Sequence, residues 1–279
     1  MESKTGGFKY SMAVTQEKVS RSAPILLRGD IYRIIKDAKK LGYDAVELQL
    51  RDAAKVDGLA LAQYCKDNEF AISALATGLE YSLSHLSMIS DNARIRRKMM
   101  TKLKEHVDLA QQLGCLVIIG CVRGNIPCGH DEDAYMKRFV SNLVDLLEYA
   151  VAKDVVVAIE AINYYVNNYL NTVRETSDFI SDMGFDNLKL HIDTHHMNIE
   201  DYDPIEGLQY SKHHIGYVHV AEINRMYPGA GKFDFKSFLD VLSQIGYNGY
   251  VALECIPKPD AYTAAQKGID YLKLLESAI

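Results

Sequence analysis

The sequence predicts a single-domain α/β protein, a (β/α)₈ TIM barrel spanning residues 1–279. Three observations predict it. A phrase made of a helical stretch, a glycine and a β-rich run recurs along the chain, and eight β-rich runs are each followed by an amphipathic helical segment. The length also suits this fold, which typically takes about 250 residues.

The recurring phrase indicates where helices end and strands begin. It reads LGYDAVEL (Leu41–Leu48), LGCLVII (Leu113–Ile119), MGFDNLKL (Met183–Leu190) and IGYNGYVAL (Ile245–Leu253). Glycine suits a left-handed helix cap, and a short apolar run suits a strand that is buried on both faces. Four further runs complete eight strands: Phe8–Val14, Ala71–Ala76, Val155–Ile159 and Ile215–Val220.

The segments between these strands have helical periodicity. We place helices near Asp30–Leu41, Gly58–Asn68, Asn92–Leu113, Asp131–Lys153, Thr172–Met183, Pro204–Lys212, Asp234–Gln244 and Ala261–Ser277. The alternative fold is a doubly wound open sheet. It is disfavoured because no G-x-G-x-x-G turn follows the first strand and no second domain boundary is visible.

Composition and charge exclude several classes of partner. The formal net charge is −6 and no long Lys/Arg run occurs, so we expect no nucleic-acid partner. No apolar stretch is long enough to span a membrane, and the polar N-terminus lacks a secretory signal, so we expect a cytoplasmic protein. The five scattered cysteines argue against a disulfide framework. We also expect a homo-oligomer, either a dimer or a tetramer.

Candidate reactive residues stand where the predicted strands end, which is where active sites of such barrels lie. The fifth, sixth and eighth strands end in Glu160, Asp193 and Glu254, and the seventh reaches His219. All four are residue types that commonly bind metals. Neighbouring strands lie about 4.7 Å apart, so a curved wall can direct these side chains at one point. Three oxygens and one nitrogen favour one divalent ion, with Mn²⁺ as first choice, Co²⁺ or Mg²⁺ next and Zn²⁺ not excluded.

A structural explanation competes with this metal site. Acidic residues are common near helix N-termini, so each carboxylate could simply cap the helix that follows its strand. That explanation suits any one residue. It is less suited to four ligand-type residues at equivalent strand ends, each behind an apolar run.

Four segments resemble the xylose-isomerase-like barrel superfamily and, within it, the ketose 3-epimerases of the D-tagatose and D-psicose type. They are IEAINYYVNNYLNT (Ile159–Thr172), IDTHHMNIED (Ile192–Asp201), VHVAEINRMYPGAGKFDF (Val218–Phe235) and YVALE (Tyr250–Glu254). The resemblance covers nearly the whole chain. It implies a metal-dependent isomerase that acts on a small sugar or sugar derivative.

The resemblance also implies roles for individual residues. Glu160, Asp193, His219 and Glu254 match the metal ligands, and Glu160 and Glu254 also match the catalytic acid/base pair. His196 and Arg225 match substrate-binding residues. Because a metal that chelates the carbonyl and its adjacent hydroxyl stabilises an enediolate, one carboxylate can remove a proton while the other returns one on the opposite face.

One departure from the family pattern affects the substrate. The family motif E-x-x-N-R-F/Y-E carries an arginine and a second glutamate where this chain has Tyr164 and Val166.

Glu47, Arg123 and His85 also lie near predicted loops. For these three residues we favour structural interpretations: Glu47 forms a salt bridge, Arg123 is solvated and His85 lies in a loop.

Alternative functions remain open from the sequence. A related barrel isomerase, of the aldose–ketose, hydroxypyruvate or inosose type, would use the same ligand set. A hydrolase like endonuclease IV needs three zinc ions and extra histidines, which the third and fourth strand ends lack. A non-catalytic sugar-binding barrel would be expected to have lost part of the ligand set.

Overall fold

The computed structural model describes residues 7–278, and this part of the chain forms nine strands and ten α-helices. The strands are β1 (Lys9–Thr15), β2 (Leu27–Arg28), β3 (Ala45–Gln49), β4 (Ala71–Ala76), β5 (Leu116–Ile119), β6 (Val157–Glu160), β7 (Leu188–Asp193), β8 (Ile215–Val220) and β9 (Tyr250–Leu253). All pair in parallel, in the order β2-β1-β3-β4-β5-β6-β7-β8-β9.

Pairing of β1 with β9 closes the sheet into a barrel. Four consecutive residue pairs join the two strands, from Lys9 opposite Tyr250 to Met12 opposite Leu253. Eight strands therefore form the closed barrel, and β2 adds two residues to the outer edge of β1. The predicted (β/α)₈ TIM barrel is confirmed.

The helices surround the barrel and follow its strands. They are α1 (Ile31–Lys40), α2 (Gly58–Asp67), α3 (Gly78–Ser82), α4 (Ala93–Leu113), α5 (Glu132–Val151), α6 (Val173–Met183), α7 (Thr194–Glu200), α8 (Pro204–Tyr210), α9 (Phe235–Gln244) and α10 (Ala261–Glu276). Gly114 and Gly184 end α4 and α6 in the left-handed conformation, with φ of 65° and 66°. Glycine meets this requirement without the steric cost of a Cβ.

The eight predicted helices are present, with ends that differ by two residues or fewer. The structure adds β2, α3 and α7, which the sequence did not predict. Each has at most seven residues, too few for a recognisable hydrophobic period. The helix α7 matters for function, because it begins directly after Asp193.

The barrel interior beneath the carboxyl ends of the strands is packed with buried side chains, three of which are alanines. Ala74, Ala76, Ile118, Tyr217 and Ala252 form this inner cluster. The Tyr217 hydroxyl lies 2.7 Å from Ser73 Oγ, which in turn lies 2.7 Å from Ser11 Oγ. A chain of hydroxyl groups thus satisfies the polar atoms below the predicted site.

The outer core lies between the strands and the helices and holds most of the buried apolar side chains. Within residues 7–278 no helix is both long enough and apolar enough to cross a bilayer. All five cysteines are free thiols, as expected, and Cys255 is buried. The expected cytoplasmic location and homo-oligomeric state stay predictions.

Candidate active site

All six predicted site residues lie in one continuous cluster at the carboxyl ends of β6 to β9. Glu160, Asp193 and His219 are buried, and Glu254 follows β9 and is mostly buried. The ring nitrogen Nδ1 of His219 lies 3.8 Å from Asp193 Oδ2 and 3.6 Å from Glu254 Oε2. On the other side, His196 Nε2 lies 3.6 Å from Glu160 Oε1 and 4.0 Å from Asp193 Oδ2.

The cluster offers several overlapping sets of metal ligands. Three groups each have ligand atoms within 4.8 Å of one another: Glu160–His191–His219, Glu47–His219–Glu254 and Glu160–Asp193–His196. Together they include all four predicted ligands, although no single group holds all four. His191, which is not among the predicted site residues, adjoins the cluster with its ring 4.2 Å from that of His219.

His219 is oriented for binding a cation. Its Nε2 donates to the carboxylate of Glu47, whereas its buried Nδ1 has no hydrogen-bond partner among the described residues. Burial alone would lower the pKa of His219, but the carboxylates of Glu47 and Asp193 raise it to about 10. The Nδ1 position is therefore built to carry positive charge, which a proton or a metal ion can supply. This orphaned atom, facing two carboxylates, fits a metal ligand.

Glu160 has an acidity suited to proton transfer. Burial, with a further contribution from the Asp193 charge, raises the pKa of Glu160 to about 7 against the opposing influence of His219 and Arg225. A general base works best when its pKa lies near the working pH. The neighbouring Asp193 behaves differently: burial opposes ionisation, yet Arg225 and His219 hold its pKa well below the ordinary range.

Asp193 also satisfies the competing structural explanation. Its Oδ1 accepts a hydrogen bond of 2.9 Å from the backbone N–H of His195 and so caps α7. Its Oδ2 faces His219 and Arg225 instead. Helix capping and participation in the cluster therefore use different oxygens of the same carboxylate.

Arg225 contacts the predicted ligands directly. Its guanidinium bridges Asp193, with Nη1 2.6 Å from Oδ2, and Glu254. The residue has a left-handed backbone (φ 61°), held by a hydrogen bond from its N–H to the carbonyl of Glu222 and by another from Ile256 N–H to its own carbonyl. Such strain at a non-glycine residue is typical of functional sites.

Glu222 fixes the loop that carries the sequence PGAGKF. Its carboxylate accepts hydrogen bonds from the backbone N–H groups of Gly229 (2.9 Å) and Phe233 (3.0 Å). A Cβ at Gly229 would lie 2.7 Å from the ring of Tyr271, and one at Gly231 would lie 2.4 Å from Glu222. Both glycines thus permit close approach of the backbone to side chains of the protein itself.

The structure tests the structural interpretations given for three residues near the predicted loops. Glu47 is fully buried and pairs with His219, so the salt-bridged glutamate is confirmed and has a place in the site. The expectation that Arg123 is solvated was wrong. Arg123 is fully buried, and its guanidinium lies 5.2 Å from the ring centre of Tyr169. His85 lies exposed in a loop, as expected.

Gln49 belongs to the site and was missed. Its Nε2 donates to Glu254 Oε1 at 2.8 Å and lies 3.3 Å from Glu47 Oε1. Because side chains alternate along a strand, Glu47 and Gln49 both face the barrel interior. That alternation at the end of β3 is the sequence signal that could have identified both.

The fold and the cluster define a class of protein: a TIM-barrel enzyme whose acidic, histidine-containing centre lies where this architecture places its active sites. A family model described as "Xylose isomerase-like TIM barrel" matches residues 35–275. The chain belongs to this family.

The chain is similar to several sugar epimerases. The L-ribulose 3-epimerase of Methylomonas sp. (strain DH-1) is 32% identical over 228 residues, which cover 80% of this chain and 77% of that protein. The D-psicose 3-epimerase of Enterocloster bolteae is 27% identical over 234 residues, which cover 81% of this chain and 76% of that protein. A solved L-ribulose 3-epimerase superimposes with a TM-score of 0.81 at 24% identity, covering 96% of this chain and 94% of its own. The predicted class, an isomerase of the epimerase type, is confirmed, and the other candidate functions are not favoured.

Proposed function

We propose that the protein is a divalent-metal-dependent ketose 3-epimerase in which Glu160 and Glu254 exchange the proton at C3. The observation that supports this most directly is the placement of the two carboxylates. They project from β6 and β9, at the two ends of the four-strand arc, with Asp193 and His219 between them. A substrate held over the centre of the arc would have one carboxylate on each side.

The proton steps follow from this arrangement. Glu160, a buried carboxylate at the end of β6, accepts the C3 proton from one face as a base. Glu254, whose Oε1 accepts a hydrogen bond from Gln49, enters this step as the carboxylic acid and delivers its proton to the opposite face. Exchange with solvent then restores the starting protonation states of both carboxyl groups. The configuration at C3 inverts because removal and return occur on different faces, and reversal of the two roles gives the reverse reaction.

The proposed metal ligands are Glu160, Asp193, His219 and Glu254. When bound, a divalent metal would stabilise the negative charge that develops on the substrate as the proton leaves. Mn²⁺ is the proposed ion because three carboxylates and one imidazole form an oxygen-rich donor set. His196 and Arg225 are proposed to bind substrate oxygens.

Proton exchange in deuterated water tests the proposal before any product is identified. The protein with Mn²⁺ should incorporate deuterium at C3 of at least one of L-ribulose, D-psicose, D-tagatose and D-fructose. Glu160→Gln and Glu254→Gln should abolish this exchange, and Glu80→Gln, which alters a buried carboxyl of α3, should retain it. Exchange that survives in both catalytic variants would refute the assignment.

The loop after β6 points to a difference in substrate near C1. The side chains of Tyr164 and Val166 are 55% and 42% exposed, and they stand where the family pattern has an arginine and a glutamate. The loop is firmly held: Tyr164 N–H donates to Glu200 Oε1 at 2.6 Å, and Asn125 Nδ2 donates to the Val166 carbonyl at 3.0 Å. Its apolar side chains are therefore presented by an ordered backbone.

We therefore predict poor turnover of free D-fructose, D-tagatose and D-psicose by the wild-type protein. A site that lacks the polar partner of a hydroxyl loses discrimination that can reach about 10⁴-fold. Val166→Glu combined with Tyr164→Arg should raise kcat/KM for at least one of these sugars. Wild-type kcat/KM above about 10⁴ M⁻¹s⁻¹ for D-fructose or D-tagatose, an ordinary enzyme efficiency, would contradict this prediction.

A further inference from the structure

Asn163 lies between the loop after β6 and the imidazole of His196. It is buried and follows Glu160 by three residues. Its side-chain amide nitrogen Nδ2 lies 2.6 Å from His196 Nδ1, and its amide oxygen Oδ1 lies 3.1 Å from the backbone nitrogen of Tyr165. Each end of the amide thus has one partner.

The partner of the oxygen fixes which way the amide points. A backbone N–H can only donate a hydrogen bond, so the amide atom facing Tyr165 N must be the oxygen. The amide nitrogen then faces His196, and an amide nitrogen is a donor only. His196 Nδ1 therefore accepts this hydrogen bond and carries no proton.

The consequence for His196 lies at its other nitrogen. A neutral imidazole has one N–H, so with Nδ1 unprotonated the proton resides on Nε2. This nitrogen faces the active site, 3.6 Å from Glu160 Oε1 and 4.0 Å from Asp193 Oδ2. His196 consequently presents a hydrogen-bond donor to the site.

We propose that Asn163 is a positioning residue that fixes the tautomer of His196, so that His196 serves as an N–H donor to a substrate oxygen and cannot bind the metal through Nε2. The two histidines of the site then have opposite functions. Glu47 holds the Nε2–H of His219, so Nδ1 of His219 faces the carboxylates and can carry either a proton or the metal, whereas His196 directs a protonated Nε2 into the site. Of the overlapping ligand groups, this disfavours the one that contains His196.

The consequence for turnover rests on the proposed function, whereas the tautomer itself can be measured without any substrate. The decisive variant is Asn163→Asp. An aspartate keeps the shape and still accepts the Tyr165 N–H, but its second oxygen can only accept a hydrogen bond. It should therefore draw a proton onto His196 Nδ1.

Nitrogen NMR of protein labelled with ¹⁵N-histidine and loaded with Mg²⁺ reads this directly. His196→Gln identifies the His196 signals by their disappearance. We expect a protonated Nε2 and a bare Nδ1 in the wild type, and a protonated Nδ1 in Asn163→Asp. A protonated Nδ1 in the wild type, or an unchanged pattern in the variant, would overturn the proposal whether or not the protein is an epimerase.

Deuterium exchange with L-ribulose and Mn²⁺ supplies the functional arm. Loss of a residue that orients an active-site histidine typically costs about 10- to 100-fold, which we expect for Asn163→Asp. Asn171→Ala is the matched control, because Asn171 binds the backbone carbonyls of Ile162 and Asn167 in the same loop without contacting His196. It should exchange within about threefold of wild type. An equal loss in both variants would mean that Asn163 merely holds the loop, and would refute the positioning role.

Discussion

Replacement of Glu47 should weaken metal binding although Glu47 is not among the four proposed ligands. Its buried carboxylate accepts the Nε2–H of His219, and it is the main group that raises the pKa of that histidine against the effect of burial. A carboxylate behind a ligating histidine fixes the ring and increases the basicity of the other nitrogen. We therefore expect metal affinity to depend on Glu47 through His219.

Two substitutions separate the charge of Glu47 from its hydrogen bond. Glu47→Gln keeps an oxygen that can accept the Nε2–H and removes only the charge, so we expect about a 10-fold loss of Mn²⁺ affinity, or about 1.4 kcal/mol. Glu47→Leu also leaves the buried Nε2–H unpaired, which costs about 1–3 kcal/mol more. The summed cost of about 2.4–4.4 kcal/mol corresponds to a loss of about 60- to 1,700-fold in affinity.

The dissociation constant can be measured by Mn²⁺ titration, with free Mn²⁺ detected by electron paramagnetic resonance. Glu80→Gln, a buried carboxyl outside the cluster, should stay within twofold of wild type. In a His219→Asn background Glu47→Gln should cost almost nothing further, because the residue it acts through is gone. An unchanged affinity in Glu47→Leu, or a full additional loss in the double variant, would refute the reasoning.

Two further predictions concern metal content and the neighbouring residues. The purified protein should bind about one divalent ion per chain, and elemental analysis after dialysis should show a loss in Glu160→Gln and His219→Asn; three zinc ions per chain, or unchanged content in both variants, would contradict this. Arg225→Ala and His196→Ala should retain the metal but lose turnover by about 100-fold, the usual cost of an oriented donor to developing charge. Activity within twofold of wild type in both would count against their proposed substrate contacts.

The predicted elements of the barrel agree with the structure because their signals are local. A glycine after an amphipathic segment followed by an apolar run specifies a helix end and a buried strand. The predicted runs Ala71–Ala76 and Ile215–Val220 have the same bounds as β4 and β8. The signal that places Glu160 and Asp193 at strand ends is equally local, because each directly follows a β-rich run. Parallel pairing then brings such ends to one edge of the barrel.

The features that the sequence missed depend on contacts between distant residues. The partner of Glu47 is 172 residues away in the chain. Alternation along β3 could place Glu47 in the barrel interior, but it could not reveal the pairing with His219. Arg123 was expected in solvent, yet it stacks over Tyr169 of another loop in the interior. Asn163 was visible in the family pattern, but its partner became apparent only when α7 placed His196 beside it.

The charge of the cluster explains why Arg225 should not be needed for metal binding. The cationic groups of the cluster are His219 and Arg225. Four carboxylates surround them, those of Glu47, Glu160, Asp193 and Glu254. Such an excess of negative charge favours a further cation, and the raised pKa of Glu160 is one response to burial in this environment. The guanidinium of Arg225 neutralises Asp193 and Glu254, two oxygen donors that a metal would also use.

Arg225 and a divalent ion therefore compete for the same oxygens. A divalent ion bound to the proposed ligands Asp193 and Glu254 would displace the guanidinium from both, and the guanidinium donors would then be available to oxygens of a substrate. Removal of the guanidinium by Arg225→Ala removes a competitor, so Mn²⁺ affinity should stay the same or increase while turnover falls. A marked decrease in Mn²⁺ affinity in this variant would show instead that Arg225 organises the ligand set.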